Sequence, residues 1–104
     1  YNVIIKTTGG LRLSEPSVNL AIMMSIASSF LKKPIDDKTV FIAEVGLTGE
    51  LKKVPQIKQR IKELERLGYK KCFVARNSVK ESEFKDIKVI QRANIRQVID
   101  DCFR

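Results

Sequence analysis

The sequence has 104 residues, of which 43% are apolar, and a formal net charge of +8. A chain of this length and composition is expected to form one domain with an ordinary core. The absence of histidine excludes catalytic sites that use a histidine base and metal sites that use imidazole ligands.

The N-terminal third of the sequence predicts a strand, a turn and an apolar helix. Asn2 to Thr8 is rich in branched residues, and two glycines separate it from a short extended segment, Leu11 to Leu13. Ser14 and Pro16 are typical of a helix start. The stretch from Ser17 to Leu31 is apolar almost all the way round, so we expect a central helix enclosed on every side.

The middle of the sequence predicts a strand, a hairpin and an amphipathic helix. Thr39 to Glu44 has strand composition, and the glycines of "VGLTGELKKV" are typical of a hairpin. A helix opens at Pro55 and ends at Gly68, which serves as its C-cap. This helix is expected to bury a stripe that comprises Ile57, Ile61 and Leu64.

The C-terminal third predicts two further strands and a last helix. The strands are Lys70 to Ala75 and Ile87 to Gln91, separated by a surface loop with a helical turn. Asn94 is expected to cap the last helix, with Gln97 placed for a capping box. The order of elements favours an α+β or α/β fold with a mixed sheet, in a single domain over residues 1–104.

Two cysteines, Cys72 and Cys102, are too few for a four-cysteine zinc site. Both lie at apolar positions of periodic segments, so we expect buried free thiols. The sequence has no apolar run of the roughly 18 residues that would indicate a membrane span. Neither "TTGG" nor "GLTG" fits a phosphate-binding loop, so no cofactor is expected in this domain.

Basic residues are concentrated between Leu51 and Lys80, a stretch that contains ten lysines and arginines but only two glutamates. Such a patch either keeps a face solvated or binds a polyanion, most often nucleic acid. Cations spaced by four on the second helix, with two more just before it, suit sequence-independent contact with the DNA phosphate backbone. The candidate contacts are Lys52, Lys53, Lys58, Lys62 and Arg66; the alternatives are a neighbouring subunit or solvent alone.

Ser17 follows a proline where a helix is expected to begin, and "EPSVN" there resembles the nucleophile motif of the Lon protease proteolytic domain. In Lon proteases this serine and a lysine on a later helix form a dyad. The stretch "TGELKKVPQIKQR", from Thr48 onward, resembles the region that carries the lysine, and Arg60 falls on the lysine's place. Arginine stays protonated and cannot serve as a general base. The resemblance therefore implies degenerate dyad positions, Ser17 and Arg60, and no catalytic residue.

Nearly the whole chain is similar to the Lon-like C-terminal domain of the bacterial RadA (Sms) DNA-repair proteins. The stretches that carry this resemblance are "GGLRLSEPSVNLAI", "EVGLTGELKKVPQIKQRIKE" and "LGYKKCFVARNS". It implies the fold called Lon proteolytic domain-like or ribosomal protein S5 domain 2-like. It also implies a fragment of a longer protein, whose zinc motif and RecA-type ATPase core would lie outside this sequence.

The function implied by this resemblance is that of a non-proteolytic module in a cytoplasmic, DNA-dependent ATPase. The full-length protein would form a hexameric ring in recombinational repair and branch migration, and would bind ATP, magnesium and zinc in its missing part. Two alternatives stay open. One is a Lon-type peptidase with Ser17 as nucleophile and Lys53 or Lys58 as base, and the other is an oligomerisation scaffold.

Overall fold

The computed structural model describes residues 17–104, so the strands predicted at Asn2 to Thr8 and Leu11 to Leu13 lie outside the described residues. Six strands and three α-helices follow along the described chain, with a short 3-10 turn before the last strand. They are β1 (Val18–Asn19), α1 (Leu20–Leu31), β2 (Thr39–Ile42), β3 (Glu44–Val45), β4 (Leu51–Lys52), α2 (Ile57–Arg66), β5 (Lys71–Ala75), the 3-10 turn (Glu81–Glu83), β6 (Lys88–Arg92) and α3 (Ile95–Phe103).

The strands form two small sheets, and the predicted α+β class is confirmed. Strands β1, β3 and β4 pair antiparallel, and strands β2, β5 and β6 pair parallel. The predicted strand from Thr39 to Glu44 is divided at Ala43, whose carbonyl oxygen accepts the N–H of Leu20 at 2.9 Å. In the described residues two sheets therefore stand where a single mixed sheet was predicted.

The parallel sheet is buried on both faces because its central strand, β5, alternates between two clusters of apolar side chains. Cys72 and Val74 pack with α2 on one face. Phe73 and Ala75 pack with α1 and α3 on the other face. The ring of Phe73 stacks on that of Phe41 in the neighbouring strand, with centroids 5.3 Å apart. Helices thus cover both faces of this sheet, as parallel strands require.

The prediction that the first helix is enclosed on every side is wrong for the described residues. Leu20 and Met24, one helical turn apart, are fully buried. Ile22, Ile26 and Phe30 are 55%, 61% and 84% exposed. The parallel sheet and α3 pack against one side of α1 and cover only the stripe that faces them. The opposite side of α1 has no such contact with them. Apolar composition all round therefore did not translate into burial all round.

The helix ends show which capping predictions hold. The first helix begins at Leu20 rather than Ser17, because the Asn19 side chain accepts the N–H of Ala21 at 2.7 Å and acts as N-cap. Helix α2 begins two residues after Pro55, since Gln56 adopts a left-handed conformation with φ of 57°.

Two capping predictions are confirmed. Gly68 follows the last residues of α2 with φ of 97°, and the N–H of Tyr69 reaches back to the Leu64 carbonyl at 3.1 Å. Asn94 and Gln97 form the predicted capping box at the start of α3. No helix within residues 17–104 is long and apolar enough to cross a membrane.

Candidate nucleic-acid interface

Helix α2 presents the predicted row of cations because its apolar stripe is turned toward the parallel sheet. Ile57 and Ile61 are buried. A helix turns by about 100° per residue, which places Lys58, Lys62 and Arg66 between about 100° and 180° from Ile57. All three cationic side chains are exposed. The geometry therefore brings these three predicted residues together on one outer face.

Ion pairs partly neutralise the two ends of this row. The Lys58 ammonium lies 3.3 Å from the Glu83 carboxylate, which belongs to the 3-10 turn before β6. The Arg66 guanidinium bonds to both carboxylate oxygens of Glu63. This contact lowers the pKa of Glu63 and raises the pKa of Arg66. Lys62, in the middle of the row, has no hydrogen-bond or ion-pair partner among the described residues.

The two lysines that precede α2 occupy different surroundings. Lys52 is half-buried in β4, opposite Glu44 of β3, and its charge adds to the lowering of the pKa of Glu50. Lys53 is exposed directly after β4, and its ammonium has no partner in the described part of the chain. Of the five predicted DNA-contact residues, Lys53 and Lys62 therefore carry charges that could bind a phosphate without first breaking a contact within the described chain.

Ser17 and Arg60, the predicted degenerate dyad positions, have separate hydrogen-bond partners. The exposed Ser17 hydroxyl donates to a carboxylate oxygen of Glu44 at 2.9 Å. The Arg60 guanidinium donates through Nε to the carbonyl oxygen of Pro55 at 3.1 Å. The serine proton is thus held by a carboxylate, which is a far weaker base than a neutral lysine amine. Neither contact activates the serine as a nucleophile.

The two cysteines are free thiols, as predicted. Burial raises the pKa of Cys72 to about 12. Cys102 is half-buried, and burial, followed by the neighbouring Asp101 charge, raises its pKa. A thiol whose pKa is raised holds little reactive thiolate at neutral pH. Within residues 17–104, no group of three or more cysteine and acidic side chains could hold a metal ion.

A second set of exposed lysines, which the sequence reasoning did not assign to a site, lies at the amino end of the parallel sheet. Lys71 begins β5 and Lys88 begins β6, and the two stand opposite each other in register. Lys70 comes directly before β5. The sequence signal that could have found them is a lysine just before or at the first position of two predicted strands that pair in parallel.

Residues 3–78 match the family described as "ChlI: Subunit ChlI of Mg-chelatase". The chain belongs to this family. The matched residues include both dyad positions and the whole of α2, but stop before β6. This family is named for a magnesium chelatase subunit and not for Lon proteases, so the Lon-type resemblance stays a prediction.

Relatives of the chain are proteins named DNA repair protein RadA. The one from Bacillus subtilis is 44% identical over 91% of this chain. Those from Streptococcus pneumoniae and Listeria monocytogenes are 40% and 41% identical over 95% and 83% of it. The chain spans only 19% to 24% of the length of these three proteins.

Proposed function

We propose that the chain is a non-catalytic module of a RadA-type DNA-repair ATPase. It would contact the phosphate backbone of DNA without sequence preference and support assembly of a hexameric ring in recombinational repair and branch migration. The observation that carries the proposal is similarity to proteins named DNA repair protein RadA over 83% to 95% of this chain. The Lon-like fold identity and the cytoplasmic location are parts of the same proposal.

The rest of a RadA-type protein would supply what this domain does not. The chain spans less than a quarter of its relatives' length. In this proposal the DNA-dependent ATPase activity, with its ATP and magnesium, and the zinc motif would belong to the rest of the protein, which is more than three quarters of its length. This chain would contribute cationic surface and subunit contacts.

The surface of α2 and its approach supports DNA contact by electrostatics. Lys53 and Lys62 present ammonium groups that are exposed and unpaired in the described residues. When such cations contact DNA phosphates, the counterions condensed on the DNA are released, which gives affinity without recognition of the bases. Lys58 and Arg66 must exchange a carboxylate partner for a phosphate, so their contribution is smaller.

The peptidase alternative receives no support from the site. A general base on Ser17 would have to be a neutral amine, and Arg60 is always protonated. Lys58, one of the two alternative bases, has its amine 3.3 Å from the Glu83 carboxylate. The hydroxyl of Ser17 donates to Glu44 and not to a lysine. The chain is expected to leave unfolded casein intact. Cleavage that disappears in Ser17→Ala would overturn the non-catalytic assignment.

The test of DNA contact is fluorescence anisotropy of a labelled duplex titrated with the chain across a salt series. Each phosphate contact contributes about 0.9 to the slope of log affinity against log salt. The Lys53→Gln/Lys62→Gln variant should therefore lose about 1.8 of that slope. Arg76→Gln/Arg96→Gln is a matched control, because both arginines are exposed, belong neither to α2 nor to the segment before it, and carry the same total charge.

The outcomes separate three cases. A shallower slope in the lysine variant with an unchanged control supports phosphate contact near α2. Equal losses in both variants would mean that net charge alone drives the binding. Absence of binding by the parent chain at low salt would overturn the proposed DNA contact.

A further inference from the structure

The amino end of the parallel sheet gathers three lysines by backbone pairing. Lys71 and Lys88 are directly opposite in neighbouring strands, so their side chains leave the same face of the sheet. The carbonyl oxygen of Lys70 accepts the N–H of Lys88 at 2.9 Å, which fixes Lys70 beside the other two. The sheet itself, rather than flexible loops, therefore holds these three positions together.

None of the three ammonium groups has an ion-pair or hydrogen-bond partner within residues 17–104. Asp101, an acidic residue on the covering helix α3, is engaged with Arg92 at 2.7 Å. Lys33, by contrast, has a structural contact: its ammonium donates to the carbonyl oxygen of Phe103, the last residue of α3, at 2.8 Å. The three strand-end lysines are all exposed and make no such contact.

A depression of about 450 Å³ adjoins the amino end of the parallel sheet, which is called the lysine edge below, and its wall includes Lys70, Lys85 and Lys88. Two carboxylates, those of Glu81 and Asp86, also line it, so the depression itself carries only a small positive excess. The lysine pair on the α3 face of the sheet is therefore the stronger part of the surface. A ligand that spans both would be long and repetitive in charge.

The pairing of Lys71 with Lys88 is unfavourable in the isolated chain. Like charges directly opposite each other on neighbouring strands destabilise a sheet. A neutral pair would remove this repulsion, so the lysines are not explained by stability. Residues kept at a cost to stability are typical of binding surfaces. An anion with several phosphates would turn the repulsion into attraction.

The lysine edge is also continuous with the cationic row of α2. Helix α2 ends at Arg66, and the chain reaches Lys70 after one short turn, so the C-terminal end of the helix lies at the amino end of β5. We propose that Lys70, Lys71 and Lys88 form a second phosphate-contact surface, which extends the track of Lys62 over the edge of the sheet. This inference rests on the proposed DNA contact and adds a second region of contact to it.

The test compares two variants of the 104-residue chain in duplex anisotropy across a salt series. Lys70→Gln/Lys71→Gln/Lys88→Gln removes the three lysines at the amino end of the sheet, and the slope should fall by about 2.7 for three lost contacts. The control, Arg76→Gln/Arg96→Gln, removes charge from exposed positions beyond the carboxyl ends of β5 and β6 and keeps Lys80, which lines a depression together with Lys58. The loss of slope per removed charge should be smaller in the control than in the triple variant.

A second readout distinguishes a binding role from a structural one. Thermal unfolding of Lys71→Gln/Lys88→Gln at low salt should give a midpoint equal to or above that of the parent, because the repulsion is gone. Lys71→Arg/Lys88→Arg should keep the parental salt slope, since the charges remain.

Each outcome decides the matter. If the parent binds DNA but the triple lysine variant loses no more slope per removed charge than the control does, this inference is overturned and the proposed DNA contact stands. A parent that does not bind removes both. A lower unfolding midpoint in the glutamine pair would show that the lysines stabilise the sheet, and would also overturn the inference.

Discussion

Glu83 is expected to restrain DNA binding by occupying Lys58. The ammonium and carboxylate are 3.3 Å apart, and their side chains are 54% and 35% exposed. An exposed pair of this kind stabilises a protein by about 0–1 kcal/mol, because water and salt screen it. The substitution Glu83→Gln should therefore lower the free energy of unfolding by less than about 1 kcal/mol, while it releases Lys58 for a phosphate.

The gain in affinity can be estimated from counterion release. One additional phosphate contact adds about 0.9 to the salt slope, and its contribution vanishes at about 1 M salt. At 0.1 M salt the same contact is then worth about an eightfold gain in affinity, and at 0.4 M about a twofold gain. The expected signature is a steeper slope together with an advantage that shrinks as salt rises.

Duplex anisotropy with Glu83→Gln measures this directly, and Asp37→Asn is the matched control. Asp37 is exposed and carries the same charge, but forms no ion pair in the described residues. The double variant Lys58→Gln/Glu83→Gln should lose the gain. Equal slopes for the two single variants, or a gain that survives in the double variant, would refute the reasoning.

Three further predictions concern the fold and its titrating groups. Asn94→Ala should lower the free energy of unfolding in urea by about 1 kcal/mol, because the Asn94 side chain caps α3, whereas glycine there should cost only a few tenths. Burial raises the pKa of Cys72 to about 12 and also raises the pKa of the half-buried Cys102, so a thiol reagent at pH 8 should label Cys102 slowly and Cys72 more slowly still in the native chain, and both faster in urea. The hydrogen bond from the Thr48 hydroxyl, above all, lowers the pKa of Glu50 below 4.5. Because of this lowering, the ionised Glu50 stabilises the folded chain above pH 4.5, and this stability is lost as the pH falls through the folded-state pKa. Thr48→Ala should therefore raise the pKa of Glu50 measured by NMR and reduce the loss of stability on acidification.

Elements that depend on local sequence were predicted well. The capping box of Asn94 and Gln97 needs only four consecutive residues, and the structure contains it. The stripe of Ile57, Ile61 and Leu64 on α2 follows from helical spacing; Ile57 and Ile61 are buried, and Leu64 is partly buried. The end of α2 at Gly68 follows from the ease with which glycine adopts positive φ.

Features that depend on distant partners were not predicted. The division of the strand at Ala43 arises because its carbonyl is taken by Leu20, which lies 23 residues earlier in the chain. The exposed face of α1, with Phe30 at 84% exposure, results from how many neighbours reach the helix. The hydrophobic pattern of a segment does not predict either feature. It indicates which residues favour burial, but not which other parts of the chain will pack against them.

The same distinction separates the cations that can bind phosphate from those that only add charge. Spacing by four identified the row on α2, and the Glu63–Arg66 pair could be inferred from their spacing by three. The Lys58–Glu83 pair could not be inferred, because it joins α2 to a turn 25 residues later. Sequence therefore ranked Lys58 and Lys62 alike, whereas the structure ranks Lys62 higher. It also places the lysine pair of β5 and β6 at the amino end of the parallel sheet, shortly after that row in the chain, so the cations proposed to contact DNA extend from the helix to this end of the sheet.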